Sequence, residues 1–361
     1  MDVKYISNNI RKWRITKGYS QKTLAEKAGV SLLTIKKLES GENQPRMNTL
    51  EAISKGLEIR LYDLIVYSKP LKTVRFRSTQ KTRSPENILT RIGLLLEDYS
   101  YLEDVLDDKL TFELNQIHNI LKDRTPIEIA AYYRKKLGLN STEPVYDISN
   151  IFEKAGVKIL FITIKSDGIF GLSVGKEDGG PAVIVNDWDR ITVERKIFTA
   201  FHELGHLILH PDAYDVTIID ENEKEEKEAD LFASHFLMPQ EGFIKAWDET
   251  YGLSLIERVF AIKNIYRVSY QSVLHRLIES GITDSSIKNQ FQKLYQVHYH
   301  KILKPKQEPL GLKHIIFIDN RFRRLIRKAI EKDEISLSRG AEMLNLKIGE
   351  MQELVNSWIT A

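Results

Sequence analysis

The chain has no cysteine among its 361 residues. No disulfide can form and no thiolate can hold a metal, so any metal site must rest on His, Asp or Glu. Long apolar runs are missing too; no stretch approaches the ~20 residues of a membrane span. Met1-Asp2-Val3-Lys4-Tyr5 opens the chain without the apolar core of a signal peptide. The expected compartment is the cytoplasm, and no membrane partner is expected. Hydrophobic content of 42% is enough for real cores, and 29% charged residues suits a soluble protein. The length suggests two or three domains.

Net charge is only +3, but it is unevenly spread. Residues 1–83 carry 18 Lys and Arg against 7 Asp and Glu, which is +11 and leaves −8 for the remainder. A basic head on an acidic body is the footprint of a chain that meets nucleic acid at one end.

The head reads as short helices. Ile6, Ile10, Trp13 and Arg14 share an opening helix that Gly18 ends. Ser20 is placed to cap the next helix, in which Leu24 and Ala25 face inward. Gly29 turns the chain, and Ser31 caps a helix that buries Ile35 and Leu38 and stops at Gly41. Leu50, Ile53, Leu57, Leu61 and Leu64 close the bundle. Gln21, Leu24-Ala25, Gly29-Val30-Ser31, Ile35 and Leu38-Glu39 with Gly41 closely resemble the phage-repressor (Cro/Xre) helix-turn-helix family, over about 60 residues. The resemblance implies that the helix starting at Ser31 enters the major groove of double-stranded DNA. It places Ser31, Thr34, Lys36 and Lys37 at the bases and Gln21 and Arg46 near phosphates. Leu32 and Leu33 depart from the usual polar pattern and would touch thymine methyls or a partner. A helical protein-interaction module is the alternative.

Lys69 to Pro85 is basic and turn-rich, with Arg75, Arg77, Lys81 and Arg83, and reads as a linker that also touches phosphates. A helix then runs from about Pro85 to Asp107. Its Ile88, Ile92, Leu95, Tyr99, Leu102 and Leu106 form a short coiled-coil-like seam. That seam either pairs two chains as a homodimer or packs on its own body. Further on, helices are expected at Ile127–Leu137 and Val145–Ala155, and strands at Val157–Ile162, Gly168–Val174 and Ala182–Asn186.

A long helix from Val193 to His210 carries His202-Glu203-Leu204-Gly205-His206. Residues four apart share one helix face, so both imidazoles can grip one ion while Glu203 is aimed at a water. Gly205 either keeps the helix surface open near the metal or allows close strand packing. This block, with Glu226-x-x-Ala229-Asp230 and the Phe232-Ala233…Phe236-Leu237-Met238-Pro239 run, resembles the ImmA/IrrE family of zinc metallopeptidases over about residues 125–280. The resemblance implies a third ligand from the second block. Glu226 and Asp230 match the gluzincin spacing of a ligand glutamate followed by a supporting aspartate, with Glu225 the runner-up ligand. Glu221, Glu223 and Glu228 are assigned to a solvated face, and His210 to a structural or capping role.

The expected cofactor is Zn2+, with Mn2+ able to occupy the same donors. Glu203 would be the general base. The strand at Val183–Asn186 would be the edge that pairs with an extended substrate. Tyr214, Tyr266, Tyr270 and His275 are candidate oxyanion donors. In the tail, Phe322–Ile330 and Ile335–Trp358 read as a helical docking or dimerisation element, with a second DNA contact as the alternative.

The expected fold class is α+β, mostly α: a five-helix helix-turn-helix domain at 1–68, a basic linker and connecting helix at 69–124, a gluzincin-like metallopeptidase domain with a small mixed sheet at 125–285, and a helical C-terminal region at 286–361. The resemblances imply a transcription regulator whose peptidase cuts one regulatory protein, itself or a repressor or antitoxin-like partner, in stress, defence or toxin–antitoxin control. The alternative is a non-proteolytic repressor or antitoxin whose zinc domain senses a signal or binds a partner.

Overall fold

The computed structural model describes residues 3–65, 71, 73–78, 85–112, 123–211, 222–304, 307–313 and 320–359. The fold is α+β and mostly α, with one small mixed sheet. No helix among the described residues is long and apolar enough to cross a membrane. The chain divides into two compact units, both discontinuous: Met1–Leu71 with Thr82–Leu106 and Ile326–Ala361, and Lys72–Lys81 with Asp107–Leu325.

In the first unit, α1 (Val3–Thr16), α2 (Gln21–Ala28), α3 (Leu32–Glu39), α4 (Met47–Leu57) and α5 (Leu61–Ile65) form the head. Ser20 and Ser31 cap α2 and α3, accepting from the backbone N–H of Thr23 and Thr34 at 3.0 Å each. Gly29 ends α2 at φ 64, a left-handed conformation that a β-carbon would strain. That turn brings Leu24, Ala25 and Ala28 together with Ile35 and Leu38 in one core with Ile6, Ile10, Leu50, Ile53, Leu57 and Leu64. Each such Leu or Ile contributes roughly 1.5–3 kcal/mol by leaving water. Arg14 pairs with Glu39 at 2.5 Å and ties α1 to α3.

Helix α6 (Pro85–Val105) belongs to this unit. Ile92, Tyr99 and Leu102 of its apolar seam are fully buried, so the seam packs on its own body.

The second unit holds β1 (Val74–Ser78), α7 (Pro126–Lys136), α8 (Ile148–Lys154), β2 (Lys158–Ile162), β3 (Ile169–Val174) and β4 (Ala182–Asn186). Then come α9 (Val193–Leu209), α10 (Glu223–Leu237), α11 (Gln240–Glu249), α12 (Leu255–Tyr266), α13 (Tyr270–Glu279) and α14 (Ile287–Tyr299). The sheet order is β1-β3-β4-β2; β2 and β4 run parallel, and β3 is antiparallel to β4 and to β1.

This topology overturns one expectation. Val183–Asn186 is not an edge, because β4 lies between β3 and β2, and its two faces of backbone groups are both paired. The stretch read as a linker is also shared out: β1 joins the sheet, and α6 joins the helix-turn-helix unit. Val74-Arg75-Phe76-Arg77-Ser78 does alternate apolar and polar, the period of a half-buried strand, but its charge reads as linker.

The division between the units falls within helix α15 (Asn320–Glu331), and α16 (Leu337–Met343) and α17 (Ile348–Ile359) of the first unit end the described chain. There Arg60 Nη1 donates to Glu342 O at 2.6 Å, and Arg339 pairs with buried Asp98 at 2.5 Å and lies 4.3 Å over the Tyr62 ring. The tail thus docks on α5 and α6 of its own unit.

Candidate functional site

Thr192 starts α9 by accepting from Arg195 N at 3.3 Å. From Val193 to Ile208 nearly every side chain is buried, so this helix is a core element whose polar groups must find partners inside the protein. His202 and His206 stand one turn apart on one face, with their Nε2 atoms 2.9 Å from each other. Glu226 arrives from α10. Its Oε2 lies 3.3 Å from His202 Nε2 and its Oε1 lies 3.1 Å from His206 Nε2.

Gly205 makes that meeting possible. A β-carbon there would stand 3.1 Å from Phe232 Cδ1 and 3.3 Å from Ala229 Cα, both on α10. The glycine therefore serves close packing of helix on helix. A larger residue would push α10, and Glu226 with it, away from the imidazoles.

The three side chains fit a divalent ion. Their donor atoms all lie within 4.8 Å of one another, the one such cluster of three among the described residues. Donors roughly 2.0–2.2 Å from a tetrahedral ion sit about 3.4 Å apart, and the observed 2.9–3.3 Å falls just inside that. Burial pushes the His206 imidazole down to about 3, so the ring is neutral and its lone pair is available.

Both imidazoles are held from behind. Asp230 Oδ1 lies 2.7 Å from His202 Nδ1. His206 Nδ1 lies 3.1 Å from His210 Nδ1, and His210 Nε2 lies 2.9 Å from Glu228 Oε2. Engaging Nδ1 fixes each ring's orientation and turns Nε2 toward the centre. His210 also caps the helix through its backbone N–H on His206 O, the structural or capping role expected of it, and its ring meets that of His206 besides. Its repetition of the four-residue spacing was the available signal.

Glu203, fully buried, is met by β3. Ser173 Oγ donates to Glu203 Oε2 at 2.8 Å. At Gly171 a β-carbon would come within 2.5 Å of Thr199 Cγ2 and 3.5 Å of Glu203 Cγ, so β3 presses directly on α9. Arg75, expected as a phosphate contact in a linker, instead lies on β1 beside this site. Its guanidinium pairs with Glu225 and stands 3.1 Å from Glu226 Oε1. Glu225, the runner-up ligand, is thus turned to Arg75 and to Asn222. Glu228 supports His210, Glu223 is exposed, and Glu221 lies outside the described residues.

Among the oxyanion candidates, Tyr266 is buried with its hydroxyl 3.5 Å from Thr142 O, and Tyr270 stacks on Phe291. Tyr214 lies outside the described residues. His275 lies 3.1 Å from Lys288 Nζ; burial and that cation lower its pKa, while Asp230 is among the charges that raise it.

On the head, Ser31, Lys36 and Arg46 are exposed, and Thr34 and Lys37 are half-buried. Leu32 and Leu33 stand exposed beside them. Gln21 is turned inward, donating to Glu39 Oε2 at 2.8 Å.

Residues 10–64 match the helix-turn-helix family HTH_3, and residues 152–278 match Peptidase_M78, described as the IrrE N-terminal-like domain. No curated protein matches the chain. Among solved structures it is similar to "Apo Form Of ComR From S. Thermophilus in space group C2", at 11% identity over 99% of both chains with a TM-score of 0.17. It is also similar to "Crystal Structure of ComR from Streptococcus suis", at 12% identity over 99% of this chain and 96% of that one, again with a TM-score of 0.17. At such scores neither likeness bears on fold or function. The two family matches do: the chain carries an HTH_3 (Xre-like) helix-turn-helix domain at residues 10–64 and an IrrE-like Peptidase_M78 domain at residues 152–278.

Proposed function

We propose that this chain is a DNA-binding regulator whose second domain is a zinc metalloendopeptidase that cuts one regulatory protein, either a partner repressor or antitoxin-like protein or the chain itself. The observation that carries this is the convergence of His202, His206 and Glu226, with Glu203 on the same buried helix.

The chemistry a divalent ion supplies there when bound is Lewis acidity, which polarises a peptide carbonyl and lowers the pKa of a water. His202, His206 and Glu226 would hold the ion, and Mn2+ would suit the same donors. Glu203 takes the proton of the attacking water and delivers it to the amine nitrogen as the C–N bond breaks. Ser173 holds that carboxylate in place. Asp230 and His210 hold the ligand rings in orientation. His202, Glu203 and His206 are all buried, which suits a selective peptidase; casein and similar general substrates should be poor.

One observation favours a non-proteolytic regulator in which the metal domain senses a signal or holds a partner: Arg75 is paired with Glu226. A site used only for structure has no need of Glu203, which supports the peptidase. Co-expression of the chain with the products of its neighbouring genes, with and without Glu203→Gln, separates the two. Metal-dependent appearance of a fragment that Glu203→Gln abolishes is the expected result. No fragment of the chain or of any neighbour product, under any metal or DNA condition, would overturn it.

A further inference from the structure

The sheet edge beside Glu203 is already taken. β3 touches α9 through Ser173 and Gly171, and β4 covers its other side. β1 pairs antiparallel along the remaining edge, Val74 opposite Val174, Arg75 opposite Ser173 and Phe76 opposite Leu172. Arg75 is therefore aligned with the very residue that bonds Glu203. Its guanidinium goes to Glu225 and Glu226.

β1 is not part of the span that matches the IrrE-like domain; Arg75 comes from 150 residues before Glu225. Gly175 N donates to Thr73 O at 2.8 Å, Thr73 Oγ1 donates to Asp178 Oδ2 at 2.8 Å, and the register shifts between Arg77 and Ser78. An extended peptide binds a sheet edge through the same main-chain hydrogen bonds, with alternate side chains supplying specificity. Two strands cannot use one edge at once.

We propose that residues 73–78 are a blocking strand, held in cis on the β3 edge, and that the segment which replaces it is an extended peptide presenting an arginine or lysine to Glu225 and Glu226. This rests on the peptidase reading and adds to it the recognition edge, a basic residue as its specificity element, and a closed state of the site. Opening the edge means displacing β1 and breaking the Arg75 pair.

The absence of cysteine makes the test clean, because Val74→Cys with Val174→Cys introduces a single pair of thiols. Directly opposed antiparallel residues have Cα atoms about 4.5–5.5 Å apart, within the roughly 4.4–6.8 Å that a disulfide spans. Full-length protein carrying Glu203→Gln, so that bound peptide stays intact, is titrated with a fluorescent peptide of residues 72–79 and read by anisotropy. The oxidised, locked form should bind at least about tenfold more weakly than the reduced form, since apparent affinity scales with the open fraction. Arg75→Ala without the lock should bind more tightly than the unaltered strand allows, and a peptide with glutamate in place of its Arg75 should bind to neither form. Native-state hydrogen exchange supplies a readout independent of the disulfide: β1 amides should open without global unfolding. Equal binding in locked and reduced forms, or exchange of β1 only through global unfolding, would overturn the proposal and make β1 a permanent fourth strand. Peptide binding at the opened edge, with no cleavage by any chain that retains Glu203, would overturn the peptidase reading alone.

Discussion

Ser173 Oγ donates a 2.8 Å hydrogen bond to Glu203 Oε2, and both side chains are fully buried. A strand and a helix thus fix the carboxylate that the proposed peptidase chemistry uses as its base. Ser173→Ala removes that donor from a buried charge and should cost about 1–3 kcal/mol of stability, read as a lower urea midpoint. Turnover should fall while KM moves little, because Ser173 acts through Glu203. In a Glu203→Gln background the same change should add almost nothing to the loss of cleavage, as residues that act together are not additive. Additive losses would show that Ser173 serves something else.

Asp230 supports His202 directly, and Glu228 supports His206 through His210. Asp230→Asn should weaken divalent-ion binding by about 10- to 100-fold. Glu228→Gln should weaken it less, because one more side chain lies between it and the ligand. Competition against a chromophoric chelator measures both. Unchanged affinity in Asp230→Asn would remove Asp230 from the site.

Glu308 lies 3.3 Å from the buried Lys263, which is shared with Glu194, and it accepts from Tyr270 N at 3.0 Å. Burial pushes its carboxyl from 4.5 up to about 7, against the pull of the Tyr270 N–H and Lys263. Between those values the folded chain holds a proton that the unfolded chain has released. Stability from this group is therefore full below about pH 4.5, falls as pH rises to about 7, and is level above that, a span of roughly 3 kcal/mol. Glu308→Gln should remove that slope, so the variant gains on the unaltered protein in urea midpoint between pH 5 and pH 8. A constant difference across that range would refute the assignment.

Lys36 is exposed on α3, the second helix of the helix-turn-helix. Lys36→Ala should weaken DNA binding by the full chain. If Lys36 meets a phosphate, the plot of log affinity against log salt should lose about one unit of slope. If Lys36 meets a base, the slope should stay and discrimination between sequences should relax. No change in either would place α3 away from the DNA.

His202, Glu203 and His206 were legible because a helix makes spacing into geometry: four residues along the chain is one face, whatever the fold does elsewhere. Glu226 and Asp230 were legible for the same reason within their own helix, once the second block had been matched to a known pattern. The head was legible through caps and turns, Ser20, Gly29 and Ser31, which act within a few residues. Gly205 was visible, but not its purpose, since the side chain it makes room for is on another helix.

What the sequence determined by itself is the set of local pieces and the chemistry each carries: two imidazoles on a turn, a base between them, a capped helix pair on a basic head. What only the tertiary structure decided is which strands are neighbours. Strand order rests on hydrogen bonds between residues far apart in the chain, such as Val74 with Val174, and no local period records them. That pairing drew β1 out of an apparent linker and put Arg75 on Glu226, as the pairing of β4 with both β2 and β3 took it off the sheet edge.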